Sequence, residues 1–258
     1  MKKLLLGCAM MLAAMVPATV GQAAPSRVEQ AVQATAGRSP DNVALDASRK
    51  PAELLRFFGL RSGMQVADMF GINGYWAEIM APAVGPRGRV TVWQPTQFYT
   101  AERRSAFLEG AGKNPNVQLL VSPFEAPELP ANSFDFMLIN LDYHDVYWQS
   151  QERGIPRMEP DAWLKRVHAA MKPGGIVGVV DHAARRGSDP RQSVDELHRI
   201  DEAVVIADFR RAGFEWVAST PLLRNPADDR TKNVFDKAVR GQTDRFVLKF
   251  RKPRGARR

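Results

Sequence analysis

The chain holds one cysteine, Cys8, among 258 residues. No intrachain disulfide is therefore available, and stability has to come from a hydrophobic core, which a chain of this length can supply. Histidine is also scarce, with four in the whole chain. No pair of them has the HExxH spacing that places two metal ligands on one helix face. Internal repeats and low-complexity tracts are absent. The basic residues lack interleaved aromatics, so composition does not point to a nucleic-acid binder.

What is present begins with Met1-Lys2-Lys3, followed by an apolar run from Leu4 to Val20 and the small-residue segment Gly21-Gln22-Ala23-Ala24. A basic start, an apolar centre and a small-residue end predict a cleaved secretory signal over residues 1–24. The expected destination is the periplasm or the exterior, with no stable membrane insertion after cleavage. Leu5-Leu6-Gly7-Cys8 has the shape of a lipoprotein box, but its apolar lead is short, so lipidation at Cys8 is the lesser reading. Cleavage removes Cys8 and two of the charges behind the formal +8. Many of the remaining cations lie in residues 245–258, and the basic tail over residues 254–258 reads as a solvated end.

Residues 25–253 read as one α/β domain. Strands are expected at Met64–Asp68, Arg89–Trp93, Val117–Val121, Phe134–Leu141, Ile176–Asp181, Phe214–Thr220 and Arg245–Lys252, with helices between them. Phe134 to Leu141 is apolar on both faces, as in a parallel sheet covered on each side. The expected architecture is doubly wound and mostly parallel, seven-stranded, with an antiparallel edge strand. The polar stretch from Asn225 to Asp244 is long for a connection inside a domain, which marks either a functional loop or a wrong element assignment.

In such sheets ligands bind beyond the carboxyl ends of the strands. The segment Val66-Ala67-Asp68-Met69-Phe70-Gly71-Ile72-Asn73-Gly74 has the order strand, acid, glycine turn, helix. With the acidic strand start Phe134-Asp135 and Lys172-Pro173-Gly174-Gly175 before a strand, it resembles the class I S-adenosylmethionine-dependent methyltransferases. Tyr143-His144-Asp145, Asp181-His182-Ala183-Ala184, Leu197-His198-Arg199-Ile200-Asp201 and the run from Leu223 to Phe246 resemble an exported branch of predicted methyltransferases. The resemblance covers about Ala44 to Pro253. It implies a Rossmann-like methyltransferase fold, S-adenosylmethionine as cofactor, and methyl transfer to a small molecule.

The same resemblance implies a cofactor site at Asp68, Gly71, Gly74, Gln94 and Asn140. Phe70 and Ile72 stand where the usual motif has glycine, and Gln94 stands where an acid usually grips the ribose. A branched side chain at a close-approach position is overpacked by about 1–3 kcal/mol. His144, His182 and His198, each with an acid nearby, are the candidate catalytic residues. Tyr143, Asp145, Asp181 and Arg199 are expected on the substrate side, and no residue is assigned to a metal. The alternative is a methyltransferase-fold protein that has lost the cofactor and binds another small ligand, or a metal, through its His/Asp cluster. The sequence leaves the oligomeric state and the substrate open.

Overall fold

The computed structural model describes residues 25–255; the expected signal segment and the last three residues of the tail lie outside them. Seven strands form one sheet: β1 Gln65–Met69, β2 Arg89–Pro95, β3 Val117–Ser122, β4 Phe134–Asn140, β5 Met171–His182, β6 Glu215–Ser219 and β7 Arg245–Arg251. Their order is β3-β2-β1-β4-β5-β7-β6. The first five pair in parallel. β7 is antiparallel to both β5 and β6, and is inserted between them. The chain therefore reverses its strand order between β1 and β4, the position at which a doubly wound sheet opens a crevice.

Helices cover both faces: α1 Arg27–Gln33, α2 Pro40–Ala44, α3 Asp46–Arg49, α4 Pro51–Phe58, α5 Tyr75–Val84, α6 Ala101–Glu109, α7 Pro160–Ala170, α8 Pro190–Leu197 and α9 Glu202–Arg211. Strand pleating divides the core in two, since successive side chains point to opposite faces. Met137 and Ile139 of β4 join Trp163, Val167 and Phe209 from α7 and α9. Phe136 and Leu138 join Leu54, Phe58, Ile79 and Met80 from α4 and α5. Two-sided burial is why β4 reads as an unbroken apolar run.

Local signals set the helix ends. Ser26 and Glu29 form a reciprocal cap on α1, and Asp201 accepts from the Ala203 amide at 2.9 Å to start α9. The helix α8 has the same kind of start, with Asp189 accepting from Gln192 and Pro190 in the first turn. That helix was not expected from the sequence, although Asp189-Pro190 is its signal.

Candidate functional site

The turn after β1 is tighter than an open glycine loop. Gly71–Asn73 form one 3-10 turn, closed by the Gly74 amide on the Gly71 carbonyl at 2.8 Å. Gly74 has φ +77°, which a side chain would strain. A Cβ at Gly71 would lie 2.3 Å from Asp68 Oδ2, so only glycine fits there. Phe70 has φ +59°, a costly conformation for a bulky residue. This backbone turns its ring into the core, edge-on to Trp93 at 5.0 Å and to Phe124 at 5.2 Å. Ile72 is buried in the opposite core cluster. Both side chains that interrupt the glycine pattern are thus engaged in packing.

Among the described residues, three side-chain oxygens are buried without a hydrogen bond: Asp68 Oδ2, Gln94 Oε1 and Asp145 Oδ1. All three lie at or just beyond the carboxyl ends of β1, β2 and β4. A buried polar atom left unpaired costs about 1–3 kcal/mol, so such atoms need an explanation. Burial pushes the Asp68 carboxyl up to about 8, and the nearby Arg49 guanidinium offsets only part of this. Arg49 itself lies over the Tyr75 ring at 4.2 Å. The sequence shows Arg49 only as the lead-in to α4, and nothing local announces its place beside the site. Asn140 is buried at the last position of β4.

The loops after β4 and β5 carry a denser network. Asp181, fully buried, accepts from His144 Nδ1 at 2.8 Å and from the His144 amide at 2.9 Å. The other ring nitrogen of His144 faces Asp145 Oδ1 at 3.3 Å. Burial opposes a charge on His144, but Asp181 and Asp145 outweigh it and raise its pKa to about 9. Burial also acts on the half-buried Asp142; with the neighbouring Asp145 carboxylate, it lifts Asp142 well above the usual carboxylate range.

His182, the last residue of β5, bonds through Nδ1 to Thr243 Oγ1 at 2.7 Å. Burial, reinforced by His144 and Arg245, holds its pKa well below the usual value. His198 caps α8 in the left-handed conformation, φ +52°. Its Nδ1 lies 3.5 Å from Asp145 Oδ1, and its ring meets Trp148 and Phe235 edge-on. The three histidines therefore converge, with ring centroids 6.0 Å apart for His144–His182 and 5.5 Å for His144–His198. His168, by contrast, sits on α7 against Phe214, outside this group.

Two residues expected on the substrate side are placed elsewhere. Tyr143 is fully buried, and its hydroxyl donates to Asp208 at 2.8 Å, beside Tyr147 on the same carboxylate. Its polar atom is thus engaged in the core. Arg199 is also fully buried; it forks onto Asp228 at 2.8 and 3.1 Å and donates to the Ala183 and Lys232 carbonyls. This arginine anchors the 225–244 loop to the end of β5, with four of its hydrogen bonds made inside the protein. Sequence reading missed Thr243, the partner of His182, because it lies 61 residues away.

A cleft of about 860 Å³ opens at the other end of the sheet, lined in part by Arg61, Lys172, Lys249 and Arg254. It borders the amino ends of β1 and β4, away from the strand ends where doubly wound sheets bind ligands. No helix among the described residues is long and apolar enough to cross a membrane.

No protein-family model matches the chain, and no curated protein matches it in sequence. Solved structures match it in fold. A SAM-dependent methyltransferase from Aquifex aeolicus is 19% identical with a TM-score of 0.56, over 83% of this chain and 94% of that one. An S-adenosylmethionine-dependent methyltransferase from Mesorhizobium loti is 14% identical with a TM-score of 0.57, over 80% and 99%. The cyclase SpnF is 19% identical with a TM-score of 0.57, over 81% and 82%. The chain thus has the fold of the class I S-adenosylmethionine-dependent methyltransferases. A fold hosts several chemistries, as the cyclase shows, so the reaction has to be argued from the site.

Proposed function

We propose that this protein transfers a methyl group from S-adenosylmethionine to a small molecule held over the carboxyl ends of β4 and β5. The observation that carries this reading is the pair of unpaired buried oxygens, Asp68 Oδ2 and Gln94 Oε1, beside the Cβ-free Gly71. Gln94 Oε1 is an acceptor, and Asp68, protonated up to about pH 8 without a ligand, becomes one when a cationic ligand favours its carboxylate; together they suit a ligand bearing ammonium and hydroxyl donors, as this cofactor does. Phe70 and Ile72 do not contradict the fit, because both side chains pack into the core. Gln94 offers a neutral acceptor in place of an acid, so its hydrogen bond to a hydroxyl is the weaker kind.

When bound, the cofactor supplies an electrophilic methyl on a sulfonium. The chain has to align the acceptor with it, and such positioning can provide most of the rate. His182 is suited to take the acceptor's proton. Its lowered pKa keeps it neutral near pH 7, and in the tautomer that carries its proton on Nδ1, toward Thr243, Nε2 is free to accept. His144 plays a different part: as long as no metal occupies Nε2, Asp181 and Asp145 favour its charged form and Asp181 holds the ring in place. That charge favours an anionic acceptor. Asn140 at the end of β4 and Asp142 just beyond it are placed to line the wall of the pocket.

The export signal expected from the sequence supports a setting in the periplasm or outside the cell. Calorimetry of the full chain with S-adenosylmethionine and S-adenosylhomocysteine tests the reading. Binding of both is expected, weakened in Asp68→Ala and in Gln94→Ala. No heat with either ligand at millimolar concentration sinks it.

A further inference from the structure

His144, Asp145 and His198 come from two separate loops, the turn after β4 and the end of α8. Their metal-capable atoms all lie within 4.8 Å of one another. Asp145 Oδ1 stands at the centre, 3.3 Å from His144 Nε2 and 3.5 Å from His198 Nδ1. A zinc ion with nitrogen and oxygen ligands at about 2.0–2.1 Å has tetrahedral ligand–ligand edges of about 3.3–3.4 Å. Two edges of the cluster already match that figure. Asp145 Oδ1 is also buried and lacks a hydrogen bond; the cation-favouring field that it and Asp181 place on His144 is one that a metal ion can answer in place of the Nε2 proton, which it displaces on binding.

The surroundings are those of a metal ligand set. His144 is oriented by the Asp181 carboxylate on its far nitrogen at 2.8 Å, the carboxylate–histidine arrangement that fixes a ligating ring. Asp181 is itself tied to the His144 and His182 amides. Trp148 and Phe235 flank His198 edge-on and restrict its ring. Two imidazoles and one carboxylate are borderline ligands that suit zinc and its first-row neighbours better than magnesium or calcium.

We propose that His144 Nε2, Asp145 Oδ1 and His198 Nδ1 bind a divalent first-row transition metal, zinc in the first instance. Three protein ligands leave a coordination position for water or an anionic ligand, the pattern of an open site. The inference does not depend on methyl transfer.

The test is zinc uptake by the full chain, stripped with chelator and dialysed against Zn²⁺, measured by elemental analysis and calorimetry without S-adenosylmethionine. One equivalent is expected. Asp145→Asn and His198→Ala should each weaken binding by at least about tenfold, while His168→Ala should leave it unchanged. Circular dichroism checks that each variant is folded. Should either variant fail to fold, Co²⁺ substitution in the unaltered chain decides, because a four-coordinate site gives strong visible d–d absorption. No uptake, uptake indifferent to both substitutions, or a weak octahedral cobalt spectrum would overturn the assignment. Loss of zinc binding with intact S-adenosylmethionine binding would sink this inference alone, and the converse would sink only the proposed reaction.

Discussion

The two halves of the carboxyl edge solve the problem of buried polarity in opposite ways. Around β1 and β2, Asp68 and Gln94 each leave an oxygen unpaired. Around β4 and β5, Asp181 accepts from three donors and Arg199 makes four hydrogen bonds to Asp228 and two carbonyls. Unpaired buried atoms cost stability and persist where a ligand supplies what is missing. A saturated network gains rigidity and holds its side chains for chemistry. Under the proposed function, the first half receives the ligand and the second is the frame that positions the reacting groups. Asp145 Oδ1 is the one unpaired oxygen within the frame, which is why it marks the candidate ion.

Breaking the frame should have the largest effect. Arg199→Ala leaves the Asp228 carboxylate buried without its cation, which costs about 3–5 kcal/mol. Urea denaturation measures this, and a loss below about 1 kcal/mol would show that the 225–244 loop is not anchored through this pair. A smaller loss is expected in the receiving half. Gly71→Ala drives a Cβ to 2.3 Å from Asp68 Oδ2 and should cost about 1–3 kcal/mol by overpacking. It should also abolish S-adenosylmethionine binding in calorimetry. Retained affinity would separate the turn from the ligand.

The subtlest expectation is a pH dependence that differs between the halves. Folded Asp68 keeps its proton up to about pH 8, whereas the unfolded residue loses it near pH 4. The folded state then holds the extra proton, so stability falls as pH rises between those limits. His144 acts higher: its contribution is complete below about pH 6.5 and is lost as pH rises through about 9. Each slope is at most about 1.4 kcal/mol per pH unit. Asp68→Asn should flatten the stability profile from pH 5 to 7, and His144→Gln should flatten it from pH 7 to 9. Denaturation midpoints across that range measure both, and an Asp68→Asn profile parallel to the parent would disprove the lower window.

Much of the fold was legible because its signals are local. Asp201 caps α9, Pro51 opens α4, and the two-sided apolar run of β4 marks a central strand. The antiparallel strand was also expected, although its insertion between β5 and β6 depends on pairing across the sheet. The site was less legible. Phe70 looked like an obstruction at a glycine position, and only its positive φ shows the ring turned toward Trp93 and Phe124. Tyr143 and Arg199 had the residue types of a binding site, but their partners, Asp208 and Asp228, lie 65 and 29 residues away.

By itself the sequence determined the alternation of strands and helices, the glycine turn after Asp68, and the set of acids and histidines at the carboxyl ends of the strands. Those follow from side-chain periodicity and backbone preference, which act over a few residues. Tertiary structure alone decided which of those polar groups are spent on one another and which stay free. The charged form of His144 is favoured, His182 is kept neutral, and Asp145 keeps an oxygen without a hydrogen bond between two imidazoles. The reason is that burial and pairing, which set charge and hydrogen-bonding capacity, are properties of neighbours that only the packed sheet brings together.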